Sequence, residues 1–278
     1  MNLAGHHFHQ PRLHGRPSLS SPAIDREIYS AIIPHEGDHD ASRSAGKRIS
    51  VQIVGSDELR HSACDLVNRR YGWRGYGTNH RLQDRPATTS FTASIDDVIV
   101  GTITLTVDSR AGLAADQIFR DEIDTVRKSP EAHVCKLTKF AFDTDIPSKP
   151  LLAALFHIVF IYGQRRYRCT DLFIEVNPRH RRFYQSLLGF KCMGQLKTNE
   201  SVEAPSQLMS LKVEEIGTMI EAHRHSALGA ETRSLYPFFL SAEEEEAVRT
   251  RLYKASEQSV TPWTDPQPES LAGSQLHS

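Results

Sequence analysis

The residues able to do chemistry are concentrated between Lys136 and Lys191. This stretch holds ten lysines and arginines against four acidic residues, a net charge of +6, in a chain whose formal net charge is −1. A local positive surface on a nearly neutral protein steers an acidic partner towards it. An ordinary solvated helix face is the alternative, and it explains Arg165, Arg166 and Arg168 equally well.

A second chemical feature lies within that stretch, in the segment 171–190. An apolar strand ends at Asn177, a helix carrying Phe183 and Tyr184 follows, and Gly189 turns the chain into a last strand. The segment thus joins an amide and a phenol, two groups that can donate hydrogen bonds. The alternative is that Phe183 and Tyr184 only pack their helix on the sheet.

The composition limits what this chemistry can serve. With 278 residues, of which 39% are hydrophobic, the chain can bury the core of one substantial domain with tails. Lys and Arg number 33 against 34 Asp and Glu, so the basic excess of a nucleic-acid-binding protein is missing. The most apolar run, 151–161, is about half as long as a membrane span. We therefore expect a cytoplasmic protein that neither spans a membrane nor is secreted.

Metal chemistry is not expected. The four cysteines have no C-x-x-C spacing, which favours reduced, buried thiols over disulfides or zinc ligands. The histidines near the N-terminus have no carboxylate or thiolate arranged to complete a rigid site, which favours a flexible leader. The cysteines are Cys64, Cys135, Cys169 and Cys192, and the histidines are His6, His7, His9 and His14.

Hydrophobic periodicity predicts the elements that position these residues. Alternating apolar residues predict strands, and apolar stripes predict helices between them. The predicted strands are 49–53, 88–94, 98–107, 133–142, 170–176 and 207–213. The predicted helices are one after Ser56 and those at 116–127, 149–167 and 179–188. This order predicts an α/β (α+β) fold with a mixed, mostly antiparallel central sheet flanked by helices.

The same pattern divides the chain into four parts. Residues 1–47 are rich in His, Pro, Ser and Gly and are predicted to be a disordered tail. Residues 48–213 form the predicted catalytic domain. Residues 214–255 are predicted to be a helical extension that includes a capping-box spacing, and 256–278 a second disordered tail.

The segment 171–190 resembles the C-terminal half of the GNAT acyltransferases, which implies the GNAT fold. In that family the helix tyrosine stands where the departing thiolate needs a proton, so the resemblance implies that Tyr184 is a general acid. It also implies a donor role for Asn177 beside the acyl-carrying arm. The stretch 135–143 resembles the fourth GNAT strand, where a bulge frees a backbone N–H for the thioester oxygen. The resemblance thus implies that acyl-pantetheine is bound by Lys139, Phe140, Ala141 and Asn177.

Further motifs resemble a narrower group, the long-chain N-acyl amino acid synthases of the N-acyl tyrosine synthase type. The shared motifs cover residues 48–255 and are Arg69-Arg-Tyr-Gly-Trp73, Asp84 with Ala87-Thr-Thr89, Gly112-Leu113 with Asp116, Glu122 and Arg127, Glu175-Val-Asn-Pro-Arg-His180, Leu187-Leu-Gly-Phe190, Ala204-Pro205 and Ser234-Leu-Tyr-Pro-Phe238. The resemblance implies transfer of a long-chain acyl group from an acyl carrier protein thioester to the α-amine of an amino acid.

One departure from this family concerns the general base. At the position of Lys136 the related groups usually carry a Glu that is a favoured base, and a lysine cation holds an anion but does not readily accept a proton. We therefore expect Glu122 or Asp84 to hold the ammonium and relay its proton. The alternative for each carboxylate is a surface ion pair, which is the commoner role of a single carboxylate.

The resemblance also implies where the two substrates bind. Arg70 or Arg74 is expected to hold the amino-acid carboxylate, with Tyr71, Trp73 and Tyr76 lining the pocket. An acidic carrier protein is expected to dock on basic side chains near the site. These are Lys149, Arg179, Arg181 and Arg182.

The donor is expected to be the 4'-phosphopantetheine arm of the carrier and not coenzyme A, with no permanently bound cofactor. GNATs that use coenzyme A usually carry a glycine-rich loop whose backbone N–H groups hold the pyrophosphate. The corresponding stretch 143–152 has no glycine, and Pro147 and Pro150 each lack a backbone donor.

Two other functions remain open at this point. An acyl-homoserine-lactone synthase has the shorter motif match, and a non-catalytic module that binds an acyl group or its carrier is favoured by the loss of the base at Lys136.

Overall fold

The computed structural model describes residues 26–33, 46–83, 85–143, 148–224 and 233–257, which form one mixed sheet with helices on both faces. The strands are β1 (Arg26–Ile33), β2 (Lys47–Ile53), β3 (Thr88–Ile95), β4 (Val98–Val107), β5 (Val134–Phe142), β6 (Asp171–Val176), β7 (Lys191–Asn199) and β8 (Ala204–Lys212). The helices are α1 (Asp57–Gly72), α2 (Asp116–Arg127), α3 (Lys149–Tyr167), α4 (Arg181–Leu188), α5 (Val213–Arg224) and α6 (Ala242–Glu257). Short 3-10 turns lie at Pro178–His180 and Tyr236–Phe238.

The sheet has the strand order β1-β2-β3-β4-β5-β6-β8-β7. Its neighbours are antiparallel except for β5 and β6, which run parallel because α3 crosses over between them. The predicted fold class, a mixed and mostly antiparallel sheet flanked by helices, is therefore confirmed.

Helices bury both faces of the sheet, and successive residues of a strand point to opposite faces. In β6, Leu172 and Ile174 belong to the core shared with α3, whereas Phe173 packs with Phe119 of α2. Helix α1 covers β4 and β5 on the same side as α2. Helix α3 is apolar around its circumference and is the central buried element.

The prediction of disorder throughout residues 1–47 is wrong, because β1 lies within this segment. β1 pairs antiparallel with β2, and its Ile28 is 1% exposed. The Tyr29 hydroxyl donates a hydrogen bond to Glu244 of α6 at 3.0 Å, and Arg251 donates to the Ile28 carbonyl at 3.1 Å. These partners are more than 200 residues away in sequence, so the local composition gave no sign of them.

The other parts of the predicted tails fall mostly outside the described residues. Residues 1–25, which include the four N-terminal histidines, and residues 34–45 lie there, as do residues 258–278. The predicted helices of the extension are present as α5 and α6. The predicted capping box is also present: Ser241 Oγ accepts from the Glu244 N–H at 3.2 Å, and Glu244 accepts from the Ser241 N–H at 2.9 Å.

Strand β7 was not among the predicted strands. It is an edge strand with most of its side chains exposed, so it lacks the apolar alternation that identifies a half-buried strand. It forms an antiparallel hairpin with β8, and this hairpin becomes one wall of the site described next.

Candidate active site

A bulge in β5 sets the geometry of the site. Opposite β4, Thr138 pairs with Thr104 and Ala141 with Thr102, so Lys139 and Phe140 face Ile103 alone. Lys139 has a φ of 53°, in the left-handed region, as a bulged residue requires. The bulge that the sequence implied is therefore present, and a bulge places a residue outside the ladder where its N–H can bind a ligand.

Strands β5 and β6 part just beside this bulge. Their parallel pairing extends from Val134↔Asp171 to Leu137↔Ile174 and continues no further within the two strands. A cavity of about 510 Å³ opens where they separate. Its walls come from the ends of β5 and β6, the first turn of α3, helix α4, the loop after α1 and the β7–β8 hairpin.

Tyr184 lines this cavity from α4. Its ring makes an edge contact with Phe140 at 6.3 Å, and its hydroxyl has no hydrogen-bond partner in the described part of the chain. Burial raises the pKa of Tyr184 above its usual range; Tyr71 adds to the rise, and the charge of Arg74 partly opposes it. The phenol is therefore protonated at neutral pH and available as a donor.

Asn177 lines the cavity at the end of β6. Its side-chain oxygen accepts the Arg179 N–H at 3.2 Å and so caps the 3-10 turn that follows. The amide nitrogen of Asn177 makes no hydrogen bond with any described residue. Both the bulge residue Phe140 and Asn177 therefore border the same space, while Ala141 is buried beneath it among the residues that pack under α1.

Of the five residues expected at the amino-acid site, three line the cavity and two do not. Tyr71 and Arg74 line the cavity, as does Tyr76. Arg70 instead lies 3.6 Å from the Asp143 carboxylate and stacks on Trp73 at 5.9 Å. The expectation that Trp73 lines the pocket is wrong, because this side chain lies outside the cavity wall and is 81% exposed.

Arg74 is the arginine that the cavity contains. Its side chain makes no hydrogen bond or salt bridge with any described residue, yet its charge lowers the pKa of Tyr184 and contributes to the lowered pKa of His180. A guanidinium in this state can bind a carboxylate with two parallel hydrogen bonds.

The structure does not bring Glu122 to the cavity. Its carboxylate pairs with Lys197 of β7 at 2.7 Å, and the pair joins α2 to the edge of the sheet. Burial favours a higher pKa for Glu122, but hydrogen bonds and the Lys197 charge outweigh it and leave the pKa below its ordinary value. The other candidate base, Asp84, lies outside the described residues.

The acid that lines the cavity from β6 is Glu175, to which the sequence assigned no role. Its Oε2 atom lies 2.8 Å from the Nζ of Lys136, which is 5% exposed. Its Oε1 atom accepts from Asn199 at 2.7 Å and from Ser206 at 2.9 Å. Lys136 is thus the partner of a carboxylate on the neighbouring strand.

Burial favours a higher pKa for Glu175, but the Lys136 charge and the hydrogen bonds from Lys136, Asn199 and Ser206 outweigh it, and the pKa lies below its ordinary value. The carboxylate is therefore ionised at neutral pH. A signal for it was available in the sequence: a lysine inside a buried strand requires an anion nearby, and Glu175 lies on the next strand.

Of the four expected docking residues, one lines the cavity and the other three are adjacent in sequence to residues that line it. Lys149 lines it at the start of α3, and Arg179 donates to the Tyr76 hydroxyl at 2.8 Å. Arg181 and Arg182 are exposed at the start of α4.

The remaining arginines of the basic stretch lie elsewhere. Arg165 and Arg166 are in the last turn of α3, about 25 Å from its first turn at 1.5 Å per residue. There they favour the negative end of the helix dipole, so these two belong to an ordinary helix end and not to the cavity mouth.

The part of the chain that the structure describes contains neither a metal-binding cluster nor a membrane-spanning helix. No cluster of three or more His, Cys, Asp or Glu side chains there could hold a metal ion. None of the helices described there has both the length and the apolar character to cross a membrane.

Comparisons with known proteins identify one matching family and several similar folds. A family model described as N-acyl amino acid synthase FeeM matches residues 62–212. The solved structure of FeeM, an N-acyl amino acid synthase from uncultured soil microbes, is similar with a TM-score of 0.54 and 28% identity, over 62% of this chain and 94% of that one. No curated protein sequence gives a significant match.

Two further solved structures are similar at lower scores. The acyl-homoserine-lactone synthase LasI has a TM-score of 0.46 and 12% identity, over 60% of this chain and 91% of that one. A probable acetyltransferase from Staphylococcus epidermidis has a TM-score of 0.43 and 13% identity, over 59% and 98%. Of the three structures, FeeM alone exceeds a TM-score of 0.5.

The buried Lys136–Glu175 pair makes a prediction about stability. Lys136→Met leaves the Glu175 carboxylate without its charge partner, and the free energy of unfolding should fall by about 3 kcal/mol at neutral pH. Lys136→Met/Glu175→Gln removes both charges and should cost less than half as much. Urea denaturation measures both variants.

The pH dependence of these losses has a definite sign. Because the folded-state pKa of Glu175 is lowered, its stabilising contribution is complete at neutral pH and is lost as the pH falls through that lowered value. The deficit of Lys136→Met relative to the unsubstituted protein should therefore narrow in acid. Equal losses for the single and double variants would contradict a stabilising pair.

Proposed function

The chain belongs to the FeeM family of N-acyl amino acid synthases and is an N-acyltransferase of the GNAT fold, and from this premise we propose that it moves a long-chain acyl group from an acyl carrier protein thioester to the α-amine of an amino acid. The observation that carries the proposal is one cavity bordered by the β5 bulge, by Arg74, which has no ion-pair partner among the described residues, and by the protonated Tyr184. These supply an oxyanion donor, a carboxylate anchor and a proton donor.

The donor side of the proposal rests on the parted strands. The amides of a pantetheine arm can pair with the free edges of β5 and β6, which stop pairing at Leu137 and Ile174. The thioester carbonyl then lies beside the bulge. Coenzyme A would need backbone donors for its pyrophosphate, and the stretch 143–152 offers two prolines and no glycine there.

Charge near the cavity also favours a carrier over a nucleotide. The carboxylate of Asp143 borders the cavity where a pyrophosphate would lie. Around the mouth, Arg179, Arg181 and Arg182 present positive charge to an acidic carrier, whose long-range attraction speeds docking.

The acceptor side rests on Arg74. Arg70 and Arg74 were equal candidates for the carboxylate, but Arg70 has a carboxylate partner in Asp143, whereas Arg74 lines the cavity and pairs with no carboxylate in the described part of the chain. Tyr71 and Tyr76 border the space beside it and offer aromatic surface to the acceptor side chain.

The proposed chemistry is aminolysis of a thioester. The neutral amine attacks the carbonyl carbon, and the bulge N–H stabilises the oxyanion that forms. The C–S bond then breaks, the amide forms, and the sulfur leaves as a thiolate that takes up a proton. With an ordinary thiol pKa of about 8.5, the sulfur is less basic than the Tyr184 phenolate. Proton transfer from Tyr184 to sulfur is therefore uphill on its own, and it proceeds because Tyr184 receives a proton from the attacking nitrogen in the same step.

The non-catalytic alternative has lost its main argument. It depended on Lys136 occupying the position of an acid, but Lys136 pairs with Glu175, which does line the cavity. The acid is thus displaced by one strand and is still present at the site.

Replacement of Tyr184 tests its place in this chemistry. Tyr184→Phe should lower turnover by about one to two orders of magnitude, because the thiolate loses its proton donor while the ring packing remains. The matched control is Tyr162→Phe, since Tyr162 is also buried, with a pKa raised to about 12, but lies in α3 away from the cavity. Its turnover should be unchanged. If Tyr184→Phe is as active as this control when chemistry limits the rate, Tyr184 only packs its helix.

The overall reaction is tested by assaying the purified protein with one acyl chain on two carriers. With a mixture of amino acids as acceptors, mass spectrometry should detect an N-acyl amino acid, and the specificity constant should be at least tenfold higher for the acyl carrier protein than for coenzyme A, about 1.4 kcal/mol of preference. Equal or better use of acyl-coenzyme A would exclude the proposed donor. Formation of a homoserine lactone product alone would exclude the proposed acceptor.

A further inference from the structure

Glu175 occupies a distinctive place in the sheet. It is the first residue of β6 after the pairing with β5 ends, so its carboxylate lies where the strands part and borders the cavity that also contains Tyr184 and Arg74. On its other side β6 remains paired with β8 through Leu208, which holds the backbone of Glu175 in place.

The carboxylate is held by three donors from three different strands. Lys136 of β5 binds one oxygen at 2.8 Å, and Asn199 of β7 and Ser206 of β8 bind the other at 2.7 and 2.9 Å. An ionised carboxylate has about four acceptor sites. Three are used, so one remains for a donor that enters the cavity.

The charge of this site suits an amine that must react as a neutral nucleophile. A lone carboxylate would stabilise the ammonium form and oppose the loss of its proton. Here the Lys136 cation offsets that effect while the carboxylate oxygen still accepts a hydrogen bond. The pair can therefore bind an N–H group without strongly favouring the charged, unreactive nitrogen.

We propose that Glu175 is the residue that binds the acceptor amine, accepting one N–H hydrogen bond so that the nitrogen lone pair points at the thioester carbonyl beside the bulge. This inference rests on the proposed function, since it assigns the amine end of the acceptor whose carboxylate Arg74 holds. Glu175 positions the nitrogen and does not remove its proton. Two oppositely charged anchors in one cavity then select a molecule that carries both an amine and a carboxylate, as an amino acid does.

The test uses Glu175→Gln, which keeps the size of the side chain but removes its charge. The acceptor is the amino acid that the unsubstituted protein acylates fastest, and the donor is one acyl carrier protein thioester. We expect kcat/KM for the amino acid to fall by about tenfold to a hundredfold, while the KM for the acyl carrier stays within about twofold.

The matched control is Asp171→Asn. Asp171 is a buried acid at the other end of β6, paired with Lys212 at 2.6 Å and outside the cavity wall. This variant also breaks an ion pair of the same strand, and kcat/KM for the amino acid should not change. If Glu175→Gln fails to fold, Lys136→Met/Glu175→Gln replaces it, because no buried lysine is then left unpaired.

Two results would overturn the assignment. One is a kcat/KM for the amino acid within about twofold of the unsubstituted protein in whichever Glu175 variant folds. The other is an equal loss on the acceptor and carrier sides, which indicates a purely structural pair. Failure of the unsubstituted protein to acylate any amino acid would instead refute the proposed function, so the two failures are distinguishable.

Discussion

The candidate site depends on one buried ion pair, Lys136 with Glu175. The parallel strands β5 and β6 part immediately beyond it, so the pair marks the point where backbone hydrogen bonds end and the cavity begins. Because an unpaired buried charge is costly, each partner fixes the other, and Asn199 and Ser206 extend this constraint to the β7–β8 hairpin. The hairpin, β5 and β6 are thereby held around one space.

The remaining walls follow from elements that need little further constraint. The bulge at Lys139 removes two residues from the ladder on the side of β5 that faces β4, and α3 begins across the cavity with its side-chain cap at Ser148. The bulged strand, Arg74 and Tyr184 thus all border the same cavity. Membership of the N-acyl amino acid synthase family establishes that the chain is an N-acyltransferase. We propose that the strands bind the acyl donor and that Arg74 and Tyr184 contact the acceptor.

Much of this site was predictable from the sequence because its residues lie on elements with strong local signals. The sequence located the strand and helix around Asn177 and Tyr184, the bulged segment at Lys139 and the end of α1 with Tyr71, and the structure places most of them around one cavity. Their catalytic and binding roles stay predictions. The sequence could not show that Arg70 is engaged by Asp143, because that contact joins residues more than 70 positions apart.

The features that the sequence analysis did not identify depend on contacts between residues that are far apart in the chain. Strand β1 is stabilised by α6, and β7 is a polar edge strand, so neither shows its structure in local periodicity. Glu122 was expected at the site from its sequence neighbourhood, but its ion pair with Lys197 holds it against β7 and away from the cavity. Glu175 was not identified, although a buried lysine such as Lys136 requires an anionic partner. The pairing of β5 with β6 was needed to show which acid lies beside it.

We propose that the acyl donor lies where β5 and β6 part, with its carbonyl beside the bulge. A crystal structure with a bound non-hydrolysable acyl-pantetheine analogue would test this placement. We expect the pantetheine arm between the two strands and the carbonyl oxygen about 3 Å from a backbone nitrogen of residues 139–141, with the Tyr184 hydroxyl near the position of the sulfur. An arm bound outside the parted strands, or a carbonyl oxygen that faces away from the bulge, would contradict it.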